Sequence, residues 1–197
     1  MRSAVILVGG AARRANGQEK YFFTYQGKTF IERLIESLSQ VVDEIILVAR
    51  DPEQCRRFHT IEGVRCIIDI RTGTGPIGGL HAGTLAARGE EIFVSACDMP
   101  CVDPRVVALL FNRIEHYDAA IPRWNVEMLE PLHAVYRRSA LIGYLENHES
   151  LSLRTMIKAL NAHYVPIDEI RAIDHDLTTF TNINKIEELE RINNIHI

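Results

Sequence analysis

The sequence predicts a single α/β domain, Rossmann-like and doubly wound, with a mostly parallel sheet and helices on both faces. Three observations predict it. Four short, nearly unbroken apolar runs rich in β-branched residues stand at residues 5–8 (VILV), 45–48 (IILV), 64–68 (VRCII) and 92–94 (IFV). Strands that read this way are buried on both faces, as in a parallel sheet covered by helices. Helical patterns lie between them, and strand alternating with helix four times is the order of a doubly wound fold.

Each element has its own justification. The first run ends in the pair Gly9-Gly10, where a chain leaving a strand can turn sharply. Ile31, Leu34, Ile35 and Leu38 follow the i, i+3, i+4, i+7 spacing of one helical face. Residues 52–59 and 78–88 are shorter helical candidates after the second and third runs. Pro104 stands where a first-turn proline would, ahead of Val106, Val107, Leu110 and Ile114. The second half is less regular. Residues 119–122 and 132–136 read as strands, 140–146 and 152–160 as helices, 164–167 as extended, and 186–192 as a closing helix. No repeat, low-complexity tract or linker divides the chain, so residues 1–197 read as one domain.

Composition excludes several classes. With 47% apolar and 24% charged residues the chain is an ordinary globular one, neither disordered nor collagenous. Lys and Arg number 22 against 26 Asp and Glu, a formal −4, and coating nucleic acid needs a clustered basic surface instead. No apolar run approaches the roughly 18 residues of a membrane span. Residues 4–8 are too few for a signal peptide, which needs about 7–15 apolar residues. The four cysteines, Cys55, Cys66, Cys97 and Cys101, show no C-x-x-C or zinc spacing and read as buried free thiols of a cytoplasmic protein.

In an open parallel sheet, ligands bind beyond the carboxyl ends of the strands. After the four runs come Gly9 and Gly10, then Arg50 and Asp51, then Asp69, then Asp98. The first loop, VGGAARRANGQEK, carries Arg13, Arg14 and Lys20; residues 1–20 hold four basic residues and one acidic. A glycine turn with such cations can cradle a polyphosphate through backbone amides and point charges. It is not a Walker A loop, because six residues separate Gly10 from Gly17 and two more precede Lys20. A solvated basic loop is the plainer alternative. The third loop, DIRTGTGPIGG, contains G-x-G-x-x-G at Gly73, Gly75 and Gly78, with Asp98 twenty residues further on. It matches a dinucleotide fingerprint on paper, but four residues delay the first glycine and Pro76 removes a donor. Asp98, closing the fourth run in SACDMP, is placed to ligate Mg²⁺ on a nucleotide phosphate.

LVGGAARRANGQEK, DIRTGTGPIGGL, FVSACDMP, EPLHAVYRR and FTNINKIEEL follow one another over residues 7–189. In this order they resemble the molybdenum cofactor guanylyltransferases of the nucleotidyltransferase superfamily. The resemblance implies transfer of GMP from GTP to molybdopterin, with pyrophosphate released and Mg²⁺ as cofactor. It implies that Leu7, Val8, Gly9 and Gly10 hold guanine and ribose through main-chain groups, and that Arg14 and Lys20 bind the triphosphate. Asp69, Gly78 and Gly79 would read the guanine side and Asp98 would hold the metal, with Asn182 and Asn184 a second polar pair near it. Arg50 stands where a small polar residue contacting the nucleotide is expected. The family usually has Arg-Met-Gly after its glycines, where this chain has Arg14-Ala15-Asn16-Gly17. The N-terminal half would bind nucleotide and the C-terminal half the acceptor, in the cytoplasm. Transient contact with molybdopterin-handling proteins or target molybdoenzymes is implied, with no nucleic acid and no membrane. His81 and His133 lie near motifs and read as structural histidines or acceptor contacts.

Two other readings stay open. One is a related transferase for CTP with molybdopterin, or for a phosphosugar or phospholactate. The other is an oxidoreductase or nucleotide sensor built on the three glycines of the third loop.

Overall fold

The computed structural model describes residues 1–9, 20–71 and 73–183, with the side chain of Lys20 outside the description. Strand β1 (Arg2–Leu7) lies at the middle of a seven-stranded sheet, between β4 (Glu44–Ala49) and β6 (Glu91–Ala96), both parallel to it. β5 (Val64–Ile68) adds a further parallel strand outside β4. On the other flank, β8 (His133–Arg137) runs antiparallel to β6, followed by β7 (Ala119–Arg123) and β9 (Ala162–Pro166). The order is β5-β4-β1-β6-β8-β7-β9, the mostly parallel sheet that the four apolar runs predict. A hairpin of β2 (Thr24–Tyr25) and β3 (Lys28–Thr29) precedes the first helix; strands of two residues carry too little periodicity to read from sequence.

The helices start where side chains cap them. Thr29 and Glu32 form a reciprocal capping box at the start of α1 (Phe30–Leu38). Asp51 caps α2 (Pro52–Arg56), Asp103 caps α4 (Pro104–Arg113) and Ser152 caps α6 (Leu153–Ala159). Proline at the first position of α2 and α4 gives up an N–H that has no helical partner there. α3 (Pro76–Ala86) begins after Gly75, with no side-chain cap. α5 is Arg138–Asn147, and α7 (Ile167–Arg171) follows β9, which takes residues 164–166 of the expected extended stretch. The expected closing helix at 186–192 lies outside the described residues.

Alternation along β1 sends Ala4 and Ile6 to one core and Val5 to the other. The first core takes Leu34 and Leu38 of α1, Val107 and Leu110 of α4 and Ile170 of α7. The second takes Ile77 and Leu80 of α3, Leu141 of α5 and Met156 of α6. Each such buried side chain contributes about 1.5–3 kcal/mol of transfer free energy. Helices therefore cover both faces, and no helix among the described residues is long and apolar enough to cross a membrane.

One expectation is corrected. Cys55 of α2 and Cys66 of β5 form a disulfide, with Cα atoms 5.8 Å apart, rather than two free thiols. Their pairing follows from α2 packing beside β5, which a separation of 11 residues does not reveal.

Candidate functional site

Four parallel strands release their chains at one edge of the sheet. Leu7 faces Val48 across one ladder and Ala96 across the other, so the segments beyond β1, β4 and β6 emerge side by side. Val8 continues the ladder, its N–H donating to the Val48 carbonyl at 3.1 Å. A Cβ on Gly9 would lie 3.2 Å from the Arg50 nitrogen, so this glycine lets the exits of β1 and β4 touch. Gly10 and Arg14 lie outside the described residues. Lys20 opens a 3-10 turn (Lys20–Phe22) that brings Tyr21 back into the core.

Gln54 ties this edge together, and sequence reasoning missed it. Its side chain is fully buried. Nε2 donates to the Val8 carbonyl at 3.0 Å and Oε1 accepts from the Arg50 N–H at 2.8 Å. The Tyr21 hydroxyl lies 3.3 Å from the same Nε2. One amide thus fixes the ends of β1 and β4 and the returning turn. The signal was present: Asp51-Pro52-Glu53-Gln54 has the spacing of an N-cap and its third helical residue. The Gln54 N–H donates to the Asp51 carboxylate, and that bond leads the effects holding the Asp51 carboxyl below its usual range. Arg50 is half-buried and its Nε donates to Asp51 at 3.0 Å.

Beyond β5, the Asp69 N–H donates to the Ala49 carbonyl, and its Oδ1 accepts from the Arg71 N–H at 2.8 Å. Gly78 is in the first turn of α3. A Cβ there would fall 2.8 Å from Asp69 Oδ1 and 2.7 Å from the Arg71 carbonyl, and would collide with Thr74 Oγ1. A Cβ on Gly79 would meet Leu7 Cδ2 at 3.2 Å. The chain itself fills the space beside both glycines, so their need to be glycine has a packing cause: they seat the start of α3 against Asp69 and β1.

Asp98 is the second residue after β6 and is half-buried, with its Oδ1 out of contact with solvent. Its carbonyl accepts from the Ile183 N–H at 3.0 Å, which draws the segment through exposed Asn182 across the same edge. Asn184 lies outside the described residues. Among the described residues no group of three or more His, Cys, Asp or Glu could hold a metal by itself. A cation on Asp98 would complete its shell with phosphate oxygens and water, which is how Mg²⁺ is commonly bound.

β8 runs the other way, so its start meets this edge. His133 there is fully buried between Phe93 and Phe180, and burial alone lowers its pKa to about 3. Its Nε2 lies 3.2 Å from Thr179 Oγ1, which itself accepts from the Asp103 N–H. His81 is buried within α3, chiefly desolvation depressing its pKa. Both histidines are packing residues. A groove of about 610 Å³ between the β2–β3 hairpin and the start of α4 lies off the edge. Arg33 in it is spent on Tyr25 and Gln26, and Arg105 on Asp103.

The comparisons agree with this geometry. Residues 4–164 match the model of the MobA-like NTP transferase domain. The chain is 40% identical to a probable molybdenum cofactor guanylyltransferase of Methanosarcina mazei, over 97% of this chain and 89% of that protein. It is 33% identical to a molybdenum cofactor guanylyltransferase of Desulfosudis oleivorans, over 96% and 93%. The crystal structure of molybdopterin-guanine dinucleotide biosynthesis protein A from Archaeoglobus fulgidus superposes with a TM-score of 0.83 at 33% identity, covering 100% of this chain and 98% of that one. A strand edge that gathers Gly9, Asp69 and Asp98, carried on a chain matched this fully, makes the protein a member of the MobA-like NTP transferase family.

Proposed function

We propose that the protein transfers GMP from GTP to molybdopterin. An oxygen of the acceptor's terminal phosphate attacks the α-phosphorus of GTP, a phosphoanhydride bond forms, and the bond to the β-phosphate breaks to release pyrophosphate. The observation that carries this reading is the convergence of the β1, β4, β5 and β6 exits, with Asp98 among them, in a chain so similar to named guanylyltransferases.

The residues then have separate tasks. Main-chain groups of Leu7, Val8, Gly9 and Gly10 hold guanine and ribose, with Gln54 keeping the Val8 carbonyl in place. Asp69 reads the guanine edge beside the first-turn N–H groups of α3, which lack helical partners. Arg14 and Lys20 meet the triphosphate as charge shifts toward the leaving pyrophosphate. Asp98 supplies the protein oxygen for Mg²⁺, whose chemistry is neutralisation and alignment of the phosphates. Asn182 and Asn184 serve as a second polar pair for the metal. No general base is required, since the attacking phosphate is already anionic at neutral pH. As a GTP-consuming biosynthetic enzyme, the protein is expected in the cytoplasm.

The test is pyrophosphate release and dinucleotide formation from molybdopterin with GTP or CTP, each with and without Mg²⁺. Turnover with GTP and Mg²⁺ supports the reading. Turnover with CTP alone would replace guanylyl by cytidylyl transfer, and turnover indifferent to Mg²⁺ would remove the metal from it.

A further inference from the structure

The hairpin joining β7 to β8 carries a pair of side chains that the reaction so far leaves unused. The Trp124 N–H donates to the Met128 carbonyl and the Glu130 N–H to the Pro122 carbonyl, both at 3.0 Å, which continues the ladder past β7. Asn125 closes the tip by accepting from the N–H groups of Glu127 and Met128 at 2.9 Å. On this frame the half-buried indole of Trp124 donates from Nε1 to Glu130 Oε1 at 2.8 Å. Phe180 packs edge-on against the indole at 5.5 Å between centroids, and Phe180 in turn rests on His133.

Burial raises the pKa of the Glu130 carboxyl, and among the described residues its partner is a neutral indole rather than a cation. A half-buried carboxylate with one oxygen held and no cation is an acceptor suited to ligand N–H groups. An aromatic plane beside it suits a flat heterocycle.

Location selects the heterocycle. β7 lies two strands beyond β6, so Trp124 is about 10 Å from the β6 exit at Asp98, on the side away from β1, β4 and β5. The chain gives the same reach: Ile183, bonded to Asp98, is three Cα steps from Phe180, against Trp124, a span of at most about 11 Å. Molybdopterin carries its phosphate at one end and its pterin at the other. With the phosphate at Asp98 and guanine over β1, β4 and β5, the pterin extends toward the hairpin.

We propose that Trp124 and Glu130 form the pterin subsite of the acceptor, the indole stacking on the fused rings and the carboxylate accepting from the 2-amino group and the adjacent ring N–H. The proposal rests on the guanylyl-transfer reading for the identity of the acceptor. Guanine presents the same amino and N–H edge, so the test separates the two sources.

Trp124 is the one tryptophan of the chain, so its fluorescence reports this position alone. The probes are free pterin, lumazine (which has a carbonyl in place of the 2-amino group) and GTP with Mg²⁺, followed by quenching and by calorimetry. Pterin is expected to quench Trp124 saturably and to bind more tightly than lumazine. Glu130→Gln keeps the bond from the indole but is expected to weaken pterin about tenfold, as for loss of a hydrogen bond to a charged group, and to erase the preference over lumazine. Trp124→Leu, read by calorimetry, is expected to weaken pterin by a similar factor through lost stacking. GTP should bind wild type and Glu130→Gln alike without quenching. Equal binding of pterin and lumazine by wild type, unchanged pterin affinity in Glu130→Gln, or displacement of pterin by GTP would each overturn the proposal. A protein that binds pterin but not GTP refutes the guanylyl reading while the subsite stands; one that binds GTP but not pterin does the reverse.

Discussion

Lowering the pH from 7 to 5 should destabilise this fold through His133 in particular. Its ring is fully buried between Phe93 and Phe180, and burial holds its pKa at about 3. In the unfolded chain a histidine titrates near 6.5. Above that pH both states are neutral and the contribution is constant. Below it the unfolded state takes up a proton that the folded state refuses until about pH 3, so stability falls as pH falls through that window. At pH 5 the unfolded pKa is about 1.5 units away, and at roughly 1.4 kcal/mol per unit the loss is about 2 kcal/mol. The assay is urea denaturation at pH 7 and pH 5 of wild type and His133→Gln, which keeps a polar group toward Thr179 but cannot titrate. Gln costs stability at both pH values, so the quantity to read is the difference between the two losses. His81 and the carboxylates remain in both proteins and cancel. Equal acid losses in wild type and variant would refute the burial argument, and so would an imidazole that titrates above pH 5 by NMR.

Three further outcomes are expected. Gly83→Ala would drive a methyl into Val5 Cγ1 and to 3.2 Å from Val48 Cγ2, where α3 crosses the sheet; overpacking of about 1–3 kcal/mol should exceed the gain in helix propensity of about 1 kcal/mol, and a higher melting temperature would contradict the close approach. Gln54→Leu leaves the Val8 carbonyl and the Arg50 N–H without that side chain, so urea denaturation should show a loss of about 2–4 kcal/mol and titration a weaker GTP complex; a loss confined to stability would detach Gln54 from the nucleotide side. Asp98→Asn should lower pyrophosphate release at least about 10²-fold with the circular dichroism spectrum unchanged, and near-normal turnover would take Asp98 out of the metal site.

The parallel half of the sheet was legible because doubly buried strands must be apolar along their whole length, as residues 5–8 and 45–48 are. Asp98 and Asp69 were legible because whatever follows such a strand emerges at one edge. The direction of β8 was not: a strand buried on both faces reads the same forward and backward. Gly78 was found for a ligand reason, while the contacts show a packing one, since sequence gives the need for a missing side chain but not what fills its place. The spacing from Asp51 places Gln54 in the first turn of α2, but its bond to the Val8 carbonyl and the Cys55–Cys66 pair depend on side chains meeting across elements, which no local spacing encodes.

The place of β1 at the centre of the sheet has a consequence for synthesis. Ser3 pairs with Glu44 on one side and with Ile92 on the other, so the first strand made waits longest for its second neighbour. At roughly 5–20 residues per second, the ribosome supplies that neighbour on the order of 5–20 seconds later. Through that interval an apolar strand with one unsatisfied ladder is open to pairing with other chains. Folding of the nascent protein should therefore be most vulnerable to aggregation before β6 emerges, and a chain released short of Ala96 should be the species that chaperones hold.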